Sequence, residues 1–393
     1  MRKIEVVERR TRLSRRHRLA AGHKSGDPVD AAASMVCLHG TDPATVFLSA
    51  WSRVDDMAVA DMERALYVDR SLVKHLAMRR TLFVFPREIL GIAQAGASNR
   101  VAAAERRRLI RDVEAAGLQR NGERWLSEAG DVVLELLSDG REATSTELRD
   151  ETPLLEGSIA YGEGKSWEGR ASVGPRVLTT LAAAGRIVRA SNDGAWTASR
   201  PRWASTSSWL GEEIEPRPEA EGVARLVERW LRVFGPGTEA DLKWWLGSTL
   251  GAVRQALADV GAVEVDLDGR TGHLLSDDLE PPAAIEPWGA LLPPLDPTTM
   301  GWIEREWYLG PYKPQLFDTS GNAGPTVWWD GRIVGGWRQG DSGEVELQML
   351  EDVGAEGHRA LTGEAARLTE WLDGVRVLPR FPSPLSRAVA GGA

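Results

Sequence analysis

VERWLRVFGPGTEADLKWWLG (Val227–Gly247), continued by STLGAVRQALADVGAVEVDLDGRTGHLLSDD (Ser248–Asp278), decides the fold. A short amphipathic helix ends in a Gly-containing turn. Thr238 caps a second helix ahead of Glu239-Ala240-Asp241, because its hydroxyl can satisfy a free N–H at the helix start. A longer helix follows, with Val253 and Leu257 on one face, and stops at Gly261. Alternation then takes over in AVEVDL, a tight turn falls at Asp268-Gly269, and a strand returns.

The same parts recur upstream in the same order. DVVLELLSDGREATSTELRDE (Asp131–Glu151) carries the first helix and its turn, with Ser145 as the cap before Thr146-Glu147-Leu148. VGPRVLTTLAAAGRIVRASNDGAWTASRPRW (Val173–Trp203) carries a longer helix with Val177 and Leu181 on one face, ending at Gly185. RIVRA is then a strand, Asn192-Asp193-Gly194 a tight turn, and a second strand returns. Three helices and a two-stranded hairpin make the winged helix-turn-helix plan, and such repetition has to be recognised before the fold is assigned. A weaker third copy is expected near the N-terminus, with helices over Ala31–Leu38, Pro43–Val54 and Arg70–Arg79 and TLFVF (81–85) as its strand.

NRVAAAERRRLIRDVEAAGLQ (99–119) reads as a long helix into the next unit, with Glu105 and Asp112 as local partners of its arginines. YGEGKSWEGR (161–170) reads as a flexible loop and EIEPRPEAEG (213–222) as an interdomain linker. After EPPAAIEPWG the character changes. TVWWDGRIVGGWRQ (326–339) is two strands around Asp330-Gly331, GEVELQML and GVRVLPRF (374–381) are further strands, and GEAARLTEWLDG is a helix. The expected class is α+β, with tandem winged helix-turn-helix motifs and a β-rich, barrel-like C-terminal domain. The expected divisions are 1–125, 126–212, 219–280 and 288–393.

The chain has 393 residues, 42% hydrophobic and 27% charged, an ordinary globular composition. No apolar run reaches the roughly 20 residues that cross a bilayer. The Arg-rich N-terminus lacks the apolar segment of a secretory signal, so a cytoplasmic location is expected. A lone Cys37 excludes an internal disulfide, and no Cys/His spacing suggests zinc. The net charge of −9 is unevenly spread: residues up to Arg111 hold 21 Lys and Arg against 12 Asp and Glu, a net +9, which leaves −18 for the rest. Such asymmetry points to an anionic partner for one part of the chain, or to a mixed surface kept soluble by its acidic half. Most of the 16 tryptophans fall in the later segments; they read as core or inter-domain packing, with base stacking as the alternative.

Several segments, taken in order, carry a family likeness. LAMRRTLFVFP (76–86), GRIVRASNDGAWTASRPRW (185–203), LLPPLDPTTMGW (291–302), TVWWDGRIVGGWRQ and VLPRFPSPL (377–385) together resemble the AlkZ-like winged-helix DNA glycosylases. The resemblance implies three winged-helix motifs in a C shape, a β-barrel-like C-terminal domain, and a basic concave face for duplex DNA carrying a damaged purine. It also implies a monomer with no metal or organic cofactor. The family keeps its catalytic Leu-Gln-x-Gln, or a Gln-x-Asp variant, where this chain has Leu38-His39-Gly40-Thr41 within SMVCLHGTDPATVFLSAWSRV (34–54). The family's Met-Arg-Gly-Thr-Leu-His segment is altered to Arg80 and Phe83 at its glycine and histidine.

An N7-alkylated purine is already a good leaving group, so its excision needs no general acid. What remains is stabilising a cationic sugar and placing a water, a partial analogue of the glycosidase pair. His39 could take a proton from that water or only orient it; alternatively it is a hydrogen-bonded histidine at a helix end. Thr41 adds a hydroxyl, or serves as a cap-region residue. Asp42 before Pro43 has the pattern of a helix N-cap, with stabilisation of the sugar cation as its other possible role. Arg79, Arg80, Arg15, Arg16, Lys165, Arg170, Arg200 and Arg202 are the candidate phosphate contacts; each is otherwise a solvated surface cation. The favoured reading is a monofunctional glycosylase for N7-alkylated or bulky, crosslinked purines, with self-resistance to a genotoxic natural product as one setting. A non-catalytic winged-helix DNA binder is the competing one.

Overall fold

The computed structural model describes residues 1–162, 164–165 and 168–387. The first part runs β1 (Arg2–Lys3), α1 (Val6–Arg16), α2 (Pro28–Ala33), β2 (Leu38–His39), α3 (Pro43–Trp51), α4 (Val59–Glu63), β3 (Leu72–Ala77), β4 (Thr81–Pro86), α5 (Leu90–Ala93) and α6 (Asn99–Ala115). Asp27 caps α2, accepting the N–H groups of Val29 and Asp30. Two expectations are corrected here. The helix expected over 31–38 ends at Ala33, and Leu38–His39 is a strand paired with β4. The helix expected over Arg70–Arg79 is β3. Its Leu and Ala spacing fits a helix, but β4 supplies a ladder partner, with Val73 opposite Phe85 and His75 opposite Phe83 on a pleated surface. The sheet order is β2-β4-β3, with His39 and His75 both opposite Phe83, and Leu38 and Lys74 both opposite Val84.

The middle part holds α7 (Gly122–Leu136), α8 (Ser145–Glu151), β5 (Ser158–Tyr161), β6 (Gly169–Ser172), α9 (Gly174–Ala183), β7 (Ile187–Asn192), β8 (Pro201–Ser205) and α10 (Thr206–Leu210). The cap of α8 is Thr144, one residue before the expected Ser145. Thr144 Oγ1 accepts the Glu147 N–H at 3.2 Å, and Glu147 returns a carboxylate oxygen to the Thr144 N–H at 2.7 Å. Of the 161–170 stretch expected as a flexible loop, Tyr161 ends β5 and Gly169 and Arg170 open its partner β6, while residues 163, 166 and 167 lie outside the described residues. The turn expected at 192–194 is a longer loop, because β8 begins only at Pro201. Asn192 organises that loop, donating to the Ala198 carbonyl and accepting the Arg200 N–H.

Then come α11 (Glu219–Phe234), α12 (Glu239–Leu246), α13 (Leu250–Asp259), β9 (Ala262–Leu267) and β10 (Arg270–Leu275). The helix α11 starts inside the expected linker. Thr238 caps α12 as its sequence predicts. Asp268 and Gly269 both have positive φ, 52° and 83°, the backbone of a two-residue hairpin turn. β1 adds to this hairpin in parallel with β9.

The last part holds β11 (Gly289–Leu292), α14 (Pro297–Met300), α15 (Glu306–Leu309), α16 (Lys313–Leu316), β12 (Thr326–Trp329), β13 (Arg332–Gln339), β14 (Val345–Met349) and α17 (Gly354–Leu372). The barrel-like expectation is corrected: the four strands form an open antiparallel sheet, β11-β12-β13-β14, with α17 across one face. GVRVLPRF is not a strand. Val377 instead donates its N–H to the Gln339 side chain, and the segment runs on toward residues 41 and 42.

One apolar core joins the N-terminal part to α11–α13 and the last part, and a second lies within residues 109–203. Trp51, Trp230, Trp302 and Trp328 are fully buried. The main core depends on a close crossing in which a Cβ on Gly96 would sit 2.6 Å from the carbonyl carbon of Gly222 in α11. Gly96→Ala is therefore expected to destabilise the protein by about 1–3 kcal/mol, since neither backbone can retreat. A urea midpoint equal to that of the unaltered chain would contradict the crossing.

Candidate active site and nucleic-acid interface

The corner after β2 is held from two sides. Gly40 donates its N–H to the Leu82 carbonyl at 2.8 Å, and a Cβ there would lie 3.3 Å from that oxygen. Asp42 caps α3, accepting the Ala44 N–H at 3.2 Å on one oxygen and the Arg380 N–H at 3.1 Å on the other. It is 4% exposed, and burial pushes its carboxyl up while those two N–H groups pull it down. Both oxygens are thus engaged in holding the corner. Arg380 also donates from its guanidinium to the Thr41 carbonyl at 3.3 Å. Thr41 is half-buried, and its N–H approaches His39 Nδ1 at 3.4 Å.

His39 is 7% exposed, its ring edge-on to Phe83 with centroids 5.4 Å apart. The ring is packed against an aromatic neighbour rather than standing free in an open trough. Burial first, and then the Arg79 guanidinium, push its pKa down to about 3, with Asp296 acting weakly the other way. It is a neutral imidazole at any working pH. With Nδ1 turned to the Thr41 N–H, the proton resides on Nε2.

Opposed residues share a sheet face, so His39, Phe83 and His75 line one face and Lys74 the other. The β3–β4 turn projects Arg79 and Arg80, both with left-handed backbone (φ 54° and 60°). Arg79 lies exposed over the Trp244 ring, 4.0 Å from its centroid, with its stem against Gly247. Arg305 approaches the same ring at 5.2 Å and is only 4% exposed. Among the described residues, neither guanidinium has a carboxylate partner. The arrangement is two cations and an aromatic ring beside a neutral histidine, which suits a phosphate and a neighbouring base or sugar.

The other expected cations are dispersed. Arg80 pairs with Glu105 at 2.8 Å, across from the turn onto α6, so Glu105 is not a partner within its own helix. Arg16 makes a bidentate pair with Asp278 at 2.6 Å, and Arg15 donates to the Ala283 carbonyl. Arg170 donates to Ser158 Oγ at 2.8 Å, and Lys165 is exposed in the β5–β6 loop. Arg202 binds Asp193 and Glu147, while the neighbouring Arg200 is exposed with its backbone N–H on Asn192. Of the expected set, the structure brings together Arg79 and the His39–Gly40–Thr41–Asp42 corner. Sequence reasoning missed Arg305, Trp244, Lys74 and Arg189. A lysine inside the apolar alternation SLVKHLA was the one available signal.

Among the described residues, no three His, Cys, Asp or Glu side chains converge as a metal site, and no helix is long and apolar enough to cross a membrane. The sequence profile of the AlkZ-like DNA glycosylases matches residues 32–371. The chain belongs to that family. Its structure is similar to the Streptomyces sahachiroi DNA glycosylase AlkZ with a TM-score of 0.75 and 22% identity, over 96% of this chain and 99% of that one. No curated protein sequence matches the chain.

Three buried histidines make acid stability a readout of this packing. Burial holds His39 near 3, His75 near 4 and His17 well below its usual value. Each takes up its proton near pH 6.5 when unfolded but not when folded. Stability is therefore full above that pH and falls with acid by roughly 1.4 kcal/mol per pH unit per histidine. The thermal midpoint should be flat above pH 7 and drop from pH 6.5 toward 4, less steeply in His39→Gln. A midpoint unchanged between pH 7 and 5 would contradict the burial.

Proposed function

We propose that the protein is a monofunctional DNA glycosylase that releases N7-alkylated or bulky purine adducts from duplex DNA. Family membership supports DNA as substrate, and the observation that carries the chemistry is the neutral His39 beside Arg79, its Nδ1 turned to the Thr41 N–H. With so low a basicity His39 is a poor acceptor of a water proton. It acts by orienting the attacking water, the leaving purine being already cationic. The partly exposed Thr41 hydroxyl is its neighbour in that task, and Asp42 holds the corner. Arg79 and Arg305, flanking Trp244, hold backbone phosphate. On this reading α7–α9 with β7–β8, and α11–α13 with β9–β10, are winged helix-turn-helix units, with β2–β4 and their helices as a divergent third. The divisions 1–125, 126–212, 219–280 and 288–393 follow, as does a monomer acting without cofactor. A role in resistance to a genotoxic natural product is one setting for such an activity.

A second reading, a DNA-binding protein without catalysis, is favoured by one observation: the 7% exposure of His39 and its packing on Phe83. An assay of base release from duplex DNA carrying N7-methylguanine and larger N7 adducts separates the two. Release is expected, falling at least about tenfold in His39→Ala because the attacking water loses its orienting contact; His39→Gln is expected to retain activity. Binding without release of any adduct would establish the second reading.

The same assay across pH tests the role assigned to the imidazole. With its proton lost only near pH 3, the release rate should be flat from pH 5.5 to 8. An inflection near pH 6.5 that disappears in His39→Gln would show a titrating base instead of a water holder.

A further inference from the structure

Behind the corner, on the sheet face opposite His39, a narrow cavity is lined by Gly40, Tyr67, Lys74, Arg189 and Trp196 among others. Lys74 Nζ donates to Tyr67 Oη at 2.6 Å, and its other protons have no acceptor among the described residues. Arg189, from the hairpin strand β7, stacks over Trp203 at 5.3 Å. No described carboxylate pairs with either cation: Glu63 acts on Tyr67, and Asp42 is engaged with Arg380. Burial and Arg189 together push Lys74 down to about 8, and Arg380 acts on Arg189 in the same sense. The cavity thus gathers two cations from two parts of the chain, the first sheet and the 187–205 hairpin. Like charges gathered out of water cost free energy unless an anion joins them.

We propose that Lys74 and Arg189 form a second oxyanion site that takes a backbone phosphate of the DNA strand passing the Gly40–Asp42 corner. The inference rests on the DNA reading above. It adds a contact on the far side of the corner from Arg79 and Arg305, so that the strand is held at both flanks of His39. The neighbouring Trp196, packed on Phe47 with centroids 5.2 Å apart, fixes the 193–200 loop beside this cavity.

The test is the salt dependence of duplex binding, read without any base release. Each phosphate contact contributes about 0.9 to the slope of log K against log salt. Lys74→Met and Arg189→Met are each expected to flatten the slope by about that amount, and Lys74→Arg to keep it. Their thermal midpoints should equal or exceed that of the unaltered protein, since an unpaired cation has left a part-buried site; this shows that the variants are folded. Unchanged slopes in both Met variants would overturn the proposal while leaving the glycosylase reading intact. Flattened slopes in a protein that releases no base would sustain the proposal and remove the glycosylase reading. Inorganic phosphate, compared with chloride at equal ionic strength, separates the sources. Stabilisation by phosphate that is lost in the Met variants without a change of slope assigns the site to a free anion and overturns the DNA assignment.

Discussion

The structure around His39 depends on one buried ion pair. Arg53 and Asp296 are both fully buried and meet in a bidentate contact at 2.8 and 2.9 Å. The pair is completed by Ser49 Oγ and the Thr298 N–H on Asp296, and by Thr298 Oγ1 accepting from Arg53. His17 Nδ1 joins at Thr298 Oγ1, and Thr45 Oγ1 donates to the Pro294 carbonyl. Three distant segments, α1, α3 and the turn before α14, are thereby fixed in one register. A buried pair of this kind adds little net stability over an apolar replacement, but losing one partner costs on the order of 3–5 kcal/mol. Its effect is to specify position. Because α3 starts at Asp42, pinning α3 also pins the corner that presents His39 and Thr41.

How much of this was legible in the sequence follows from the range of the forces involved. The β9–β10 hairpin was readable because Asp268-Gly269 is itself the turn, and the α12 cap because Thr238 acts on its own neighbours. The α8 cap was misplaced by one residue where Thr144, Ser145 and Thr146 offer three adjacent hydroxyls, and only the reciprocal bond from Glu147 selects the first. The strand at 72–77 was read as a helix because its identity comes from β4, a partner that residue spacing within the segment does not reveal. The C-terminal domain failed in the same way. β12, β13 and β14 were found, but β11 was missed and GVRVLPRF was read as a strand: which segment takes a sheet edge depends on distant partners, and here Leu378 and its neighbours run instead to the corner. In the site itself, the position of His39 was legible through family resemblance, whereas its burial and the cations of Arg305 and Arg189 come from chain segments far away in sequence.

Net charge was a poor guide to the interface, and the ion-pair pattern explains why. Most exposed arginines are neutralised locally, as Arg16 is by Asp278, Arg80 by Glu105 and Arg202 by Asp193 and Glu147. The acidic excess is largely spent in such pairs or faces solvent. Cations without an acidic partner among the described residues include Arg79, Arg305, Lys74 and Arg189, which lie around one corner. Local field and not total charge governs how an anionic strand approaches, so a protein of net −9 can still offer it a positive surface.

These unpaired cations bear on the proposed chemistry as well as on binding. The transition state for losing a cationic purine leaves positive charge on the sugar. An empty site with Arg79 close enough to depress the His39 imidazole would oppose that charge. The opposition is removed once phosphates occupy the guanidiniums, because each then presents a neutral pair with its anionic oxygens toward the strand. On the proposed reading, duplex binding therefore does more than deliver the substrate: it neutralises a local field that would otherwise repel a sugar cation. The neutral state of His39 belongs to the same balance. An imidazolium at this position would add a further positive charge beside the sugar, and the packing on Phe83 that buries the ring is what keeps it uncharged.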